Sequence, residues 1–175
     1  GGLGALAKPV AGQHRGIFAA VSESVSRLAT ELGGDLLRAN LLGAALPMLD
    51  GRYRFTKILG RGVSGMVVQA RDERLARDVA VKLAPTSVIS QRMLEEARTL
   101  AQLKRPECVV QVWETASGHL ASSTYSATVN YIVMELVVGT TLREWQLQAP
   151  PRSLLLSVYA NVAVGLHRVH SAGIV

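Results

Sequence analysis

A six-residue glycine string, Gly60-Arg61-Gly62-Val63-Ser64-Gly65, sits between two strand patterns, and that setting limits what this 175-residue chain can be. Tyr53, Phe55, Ile58 and Leu59 precede it, and Met66-Val67-Val68 follow it. A dinucleotide fingerprint of the G-x-G-x-x-G kind needs strand, turn and helix, with an acid about 20 residues on to hold a ribose. Here the string runs into a strand, and the residue 17 positions beyond Gly65 is Lys82. No Gly-Lys-Ser/Thr follows the string, which removes a P-loop. What remains is a turn between two strands. Lacking Cβ atoms, its backbone can fold over a polyphosphate and aim N–H groups at the oxygens. Taken alone, the string has about equal weight as a hairpin with a flexible turn.

A third strand, Val79-Ala80-Val81, leads into Lys82. A lysine among β-branched residues needs a partner for its ammonium, because burial of an unpaired charge is costly. The next helix supplies Glu95 and Glu96. Leu100 and Leu103 follow Glu96 at spacings of four and seven, so Glu96 faces the core side, while Glu95, about 100° away, is wetter. The competing reading of Lys82 and Glu96 is an incidental surface pair worth well under about 1 kcal/mol.

Composition excludes several classes. Hydrophobic residues make up 49% of the chain and the mean hydropathy is +0.23, enough to bury a core and to rule out wholesale disorder. Aromatics are only 5%, so aliphatic side chains fill that core. The formal charge is +6, but the arginines are scattered from Arg15 to Arg168, a solvated basic surface rather than a stripe that tracks nucleic acid. A single cysteine, Cys108, forms no intrachain disulfide, and the histidines lie too far from it for a compact zinc motif. The chain reads as belonging to a reducing compartment, the cytoplasm. Its longest apolar stretches fall short of the roughly 18 residues that cross a bilayer. It begins with Gly1 rather than Met, as a processed chain, a trimmed chain or a fragment does.

Along the chain, Phe18, Val21, Val25, Leu28 and Leu32 predict a helix that stops at Gly33-Gly34, after which Asp35 caps a second short helix holding Leu36, Leu37, Leu41 and Leu42. These stripes read as packing faces, without chemistry of their own. The three strands then form a meander, followed by a helix from about Ser90 to Leu103 that ends before Pro106. Val109–Trp113 and Tyr131–Met134 are two more strands, separated by a Ser/Thr-rich loop or long hairpin over 115–130. A short helix at Leu142–Leu147, a break at Pro150-Pro151 and a long apolar helix from Ser153 to His170 complete the order. Its strand-rich middle and helical ends indicate the α+β class with a small antiparallel sheet.

Taken together these residues resemble the amino-terminal lobe of a protein kinase. The resemblance rests on G-x-G-x-x-G-x-V at Gly60–Val67, V-A-x-K at Val79–Lys82, the helix glutamate Glu96, and Tyr131-Ile132-Val133-Met134-Glu135-Leu136 as fifth strand and hinge. Asp50-Gly51-Arg52-Tyr53 and Ala70-Arg71-Asp72 are similar to bacterial kinases of the eukaryotic-like serine/threonine type. The resemblance covers about residues 50–175 and implies a five-stranded lobe with one helix over 51–137 and a hinge with the first helices of a second lobe over 138–175, while the two helical patterns make residues 1–50 a helical extension. It implies that Lys82 touches the α- and β-phosphates of ATP and is held by Glu96. The backbone of Gly60, Arg61, Gly62, Val63, Ser64 and Gly65 would cover the phosphates. Leu59, Val67 and Ala80 would roof the adenine, Met134 would be the gatekeeper, and Glu135 and Val137 would offer hinge backbone groups.

The chain departs from the family pattern in places. Val63-Ser64 stands where relatives often have Gly-Met, Val68 replaces a frequent Tyr, and Arg105-Pro106-Glu107-Cys108-Val109 stands where His-Pro-Asn-Ile-Val is usual. The last aspartate is Asp78, and neither His-Arg-Asp nor Asp-Phe-Gly occurs. The expectation is therefore the ATP-binding part of a serine/threonine kinase, inactive by itself, acting on protein substrates in its complete form, with Mg2+ ligands beyond the sequence given and no nucleic-acid partner. The alternative is a pseudokinase or a nucleotide-binding module without turnover. The Ser153–His170 helix is apolar around much of its circumference and expects a second lobe around it.

Overall fold

A computed structural model describes residues 11–62, 65–102, 109–171 and 173, without the side chains of 11–18, 88–90, 92, 96 and 102. Val63, Ser64 and the 103–108 stretch with Leu103, Pro106 and Cys108 lie outside the described residues. The elements are α1 (Ala11–Leu42), β1 (Met48–Leu49), β2 (Tyr53–Gly62), β3 (Gly65–Asp72), β4 (Arg77–Pro85), α2 (Val88–Gln102), β5 (Val112–Ala121), β6 (Ser126–Met134), α3 (Leu142–Gln146) and α4 (Arg152–Ser171). The class is α+β, as expected, with six strands rather than five.

The extra strand changes the shape of the sheet. β1 pairs with β2 through Leu49↔Tyr53 and with β5 through Leu49↔Leu120, closing the order β1-β2-β3-β4-β6-β5 into a barrel. Between β1 and β2, Asp50 and Gly51 both take positive φ, 51° and 61°, and the Arg52 N–H closes the turn on the Leu49 carbonyl at 3.0 Å. The Asp50 carboxylate then folds over β5, where Oδ1 accepts the His119 N–H at 2.6 Å and Oδ2 accepts the Tyr131 hydroxyl at 3.0 Å. The region between the last two sheet strands is a long hairpin, β5 and β6, the second of the two forms expected for it. β5 begins at Val112, three residues later than the strand pattern suggested.

Strand alternation sorts the side chains into two faces. Met66, Val68 and Ala70 of β3, Val79, Val81 and Leu83 of β4, and Val129, Tyr131 and Val133 of β6 turn inward into one buried cluster. α1 joins that cluster through Leu28, Ala29, Leu32 and Leu36, the packing face the periodicity predicts. The predicted stop at Gly33-Gly34 is wrong, because α1 runs on to Leu42 and ends at Gly43, whose φ is +68°. Two helical glycines cost about 1 kcal/mol each relative to alanine, whereas burying Leu32 and Leu36 on either side of them returns roughly 1.5–3 kcal/mol apiece. Asp35 is accordingly no cap. It lies fully buried, about two turns before the end of the helix.

The outer face carries Ala84, Val112 and Ile132, which pack with Met93, Leu94 and Ala97 of α2 into a second cluster. β4 is covered on both faces, and its burial is nearly continuous apart from the half-buried Lys82. α3 starts with a reciprocal cap: the Glu144 N–H donates to Thr141 Oγ1 at 3.2 Å, and the Thr141 N–H donates to Glu144 Oε2 at 2.9 Å. α3 and α4 meet at Leu142, Trp145, Val158 and Val162. No described helix is long and apolar enough to cross a membrane.

Candidate nucleotide site

Register brings the predicted residues together. Val67 lies opposite Lys82, and Lys82 opposite Ile132, across β3, β4 and β6. One step along the same face, Gln69 lies opposite Ala80, and Ala80 opposite Met134. Opposed residues in antiparallel strands stand about 5 Å apart and share a face, so Val67, Ala80, Lys82 and Met134 form one continuous outer patch. Gly60 extends the first row, paired with Val67 across a register shift in β2.

The glycine string is the tip of the β2–β3 hairpin, with Arg61↔Met66 and Gly62↔Gly65 as its last pairs. Leu59, Arg61 and Gly62 are exposed there, while Gly65 is buried. The buried glycine has a steric reason: a Cβ on Gly65 would stand 2.3 Å from the Leu83 carbonyl oxygen on β4. Val63 and Ser64, the predicted loop tip, lie outside the described residues.

Lys82 opens onto a cavity of about 370 Å3 between α2 and the sheet, lined otherwise by apolar side chains that include Met93, Ala97, Leu100, Ile132 and Met134. An ammonium on such a wall calls for a counter-charge. Position 96 lies three residues after Met93 and four before Leu100 on α2, and Glu95 beside it is exposed, as the helical spacing predicts. The Glu96 side chain itself lies outside the described residues. At the end of β6, the Glu135 N–H donates to the Gln111 carbonyl at 2.9 Å, so the backbone group Glu135 can offer a ligand is its carbonyl. Val137 follows in an exposed linking segment.

Among the described residues no group of three or more His, Cys, Asp or Glu side chains could hold a metal ion.

Sequence reasoning missed a polar network that locks the barrel at the opposite edge. Arg52 donates to both oxygens of the fully buried Asp72, at 3.0 and 2.8 Å, and to Glu114 at 2.9 Å. Tyr53 and Tyr131 also donate their hydroxyls to Glu114, at 2.7 and 2.9 Å. The Arg52 hydrogen bonds hold the Asp72 carboxyl below its usual range against the cost of burial. Burial pushes Glu114 up, but the two tyrosine hydroxyls and Arg52 outweigh it and lower its pKa. The Asp50-Gly51 pair was a legible turn signal for this corner, whereas nothing in the spacing of Arg52, Asp72 and Glu114 announces that they meet.

A two-faced sheet with a glycine hairpin, a lysine on the central strand and a helix packed on its outer face is consistent with the amino-terminal lobe of a protein kinase. No family model matches the chain. Curated proteins do match it. A probable serine/threonine-protein kinase of Streptomyces coelicolor is 36% identical over 73% of this chain and 19% of its own length. The serine/threonine-protein kinase PknB of Mycobacterium leprae is 36% identical over 74% of this chain and 21% of its own. The probable serine/threonine-protein kinase pknA2 of Bifidobacterium longum is 31% identical over 73% and 17%. Over nearly three quarters of its length the chain is homologous to bacterial serine/threonine-protein kinases, and it spans about a fifth of the length of these relatives.

Proposed function

We propose that this chain is the ATP-binding part of a protein serine/threonine kinase that transfers the γ-phosphoryl group of ATP to Ser or Thr hydroxyls of protein substrates. The observation that carries the reading is the pairing register, which sets Val67 and Lys82 in one row and Ala80 and Met134 in the next, beside the glycine hairpin. In this reading the purine lies against Leu59, Val67 and Ala80, all small enough or exposed enough to admit it, with Met134 closing the back. The Glu135 carbonyl and Val137 backbone face the purine edge. Backbone N–H groups of residues 60–65 meet the phosphates, and the Lys82 ammonium contacts the α- and β-phosphates with the Glu96 carboxylate holding it. Magnesium accompanies the nucleotide. In this reading the catalytic region works in the cytoplasm, where ATP is available.

The test is Lys82→Met in the full-length protein. The methionine keeps an apolar stem on the outer face of β4 and loses the charge. The expected result is a drop in phosphoryl transfer on the order of a hundredfold or more, with an unchanged circular dichroism spectrum and melting temperature. Wild-type turnover in that variant rejects the role of Lys82. Nucleotide binding without transfer by the wild-type protein identifies a binding module instead.

A further inference from the structure

The amino-terminal helix touches the glycine hairpin. Arg61 Nη2 lies 3.5 Å from the carbonyl oxygen of Ala29, a long hydrogen bond to the middle of α1. That carbonyl is reachable from the side because the residue four positions on is Gly33. A Cβ at Gly33 would already stand 3.6 Å from Arg61 Nη2 and 3.8 Å from Ile58 Cδ1, so a longer side chain there would occupy the space the guanidinium uses. Next to the contact, a cavity of about 380 Å3 separates Ser22, Val25, Ser26 and Thr30 from Gly62. The Ser26 and Thr30 hydroxyls are turned back on the carbonyls of Ser22 and Ser26 and bond within their own helix.

One to two turns further along, α1 is anchored. The Asp35 carboxylate has no exposure and accepts from Ser123 Oγ at 2.8 Å, Thr124 Oγ1 at 3.0 Å and Arg38 Nη2 at 2.6 Å. Ser123 and Thr124 form the turn between β5 and β6. Asp35 is six residues from Ala29, about 9 Å along the helix axis. The same helix therefore grips a fixed turn of the barrel at one point and the hairpin tip at another.

We infer that α1 is a brace that positions the nucleotide-covering hairpin, with Asp35 as its anchor and Arg61 as its point of contact. The inference rests on the nucleotide reading above and adds a control element to it. Beyond the Arg61↔Met66 pair, the last one flanked by β4, the hairpin is a two-stranded ribbon, an arrangement with little stability of its own in water. A helix packed against it narrows the positions it samples. A cover ordered in advance loses less entropy on closing over phosphates and so binds them more tightly.

Two readouts on the full-length protein test this: hydrogen–deuterium exchange over residues 57–69 and the affinity for a fluorescent ATP analogue. Arg61→Ala and Asp35→Ala are expected to speed hairpin exchange and to weaken nucleotide binding roughly three- to tenfold, the size of one lost hydrogen bond. Arg61→Lys, which restores a donor, should recover most of both. In transfer assays KM for ATP should rise with kcat nearly unchanged. Wild-type hairpin exchange in Arg61→Ala overturns the brace. A weaker affinity confined to Arg61→Ala, with Asp35→Ala behaving as wild type, also overturns it and marks Arg61 as a direct phosphate contact. Arg61 is exposed, so its substitution does not threaten the fold if Asp35→Ala should unfold α1. Should the wild-type protein bind no nucleotide, the nucleotide reading falls and the exchange comparison alone decides the brace, faster exchange supporting it and equal exchange rejecting it.

Discussion

Asp35, Asp72 and Glu114 are carboxylates whose charge is retained inside or at the edge of the barrel by donors aimed at it. Burial alone would raise Asp35, yet the neighbouring serine and threonine hydroxyls and Arg38 hold it well below the ordinary carboxylate range. Asp72 and Glu114 are lowered as well. A folded-state pKa below the unfolded one means that the unfolded chain takes up protons first as pH falls. The stabilisation is therefore complete above the usual carboxylate pKa of about 4 and lost as pH drops toward the folded values. Denaturation midpoints measured from pH 7 to pH 2 should stay level to about pH 5 and then fall. In Asp35→Asn the fall should be shallower from a lower starting point, because one of the titrating groups is gone. Tyr53 and Tyr131 act at the other end: burial and their bonds to Glu114 raise both, so their contribution is present below about pH 10 and declines above it.

The elements that carry the site were legible because each has a strong local pattern. Short apolar runs rich in β-branched or aromatic residues marked β2, β3 and β4, and the apolar stripe Met93, Ala97 and Leu100 marked α2, the helix that walls the cavity beside Lys82. The hairpin depends on a contact no local pattern displays, the approach of Gly65 to the β4 backbone. Gly65→Ala would drive a methyl group into the Leu83 carbonyl, and neither backbone can yield without breaking the Met66↔Leu83 pairing. We expect a loss of roughly 1–3 kcal/mol in chemical denaturation, the usual cost of overpacking, and faster amide exchange in β3. Two readings of elements failed for opposite reasons. Gly33-Gly34 looked like a stop and is helix interior, since the leucines around it are held by the barrel. β1 is only two residues long, too short for any period, and it is visible only as the strand that closes the sheet.

For the whole molecule, the apolar residues are distributed unevenly. The barrel, α2 and the middle of α1 bury most of their aliphatic side chains, with Leu37, Leu41 and Leu42 at the end of α1 left exposed rather than forming the packing face expected of them, while α4 leaves Leu154, Leu156, Val162, Val164 and Leu166 about half exposed and buries only Gly165. An apolar helix surface of that extent drives association when nothing covers it. Residues 1–175 expressed alone should self-associate in a concentration-dependent way by sedimentation velocity, and Leu156→Lys with Val164→Lys should shift the population toward monomer. A monodisperse monomer at all concentrations would show that α4 is covered by some other means.

The order of the elements from β2 to α4, the positions of Lys82 and the glycine turn among them, and the kinase resemblance were determined by sequence alone, because local apolar patterns and steric exclusion decide them. Tertiary structure decided what lies far apart in the chain: the barrel closed by β1, the Arg52–Asp72–Glu114 network, and the placement of α1 between the β5–β6 turn and the glycine hairpin. Those contacts join residues 20 to 89 positions apart, and their partners are chosen by which faces the closed sheet leaves facing each other.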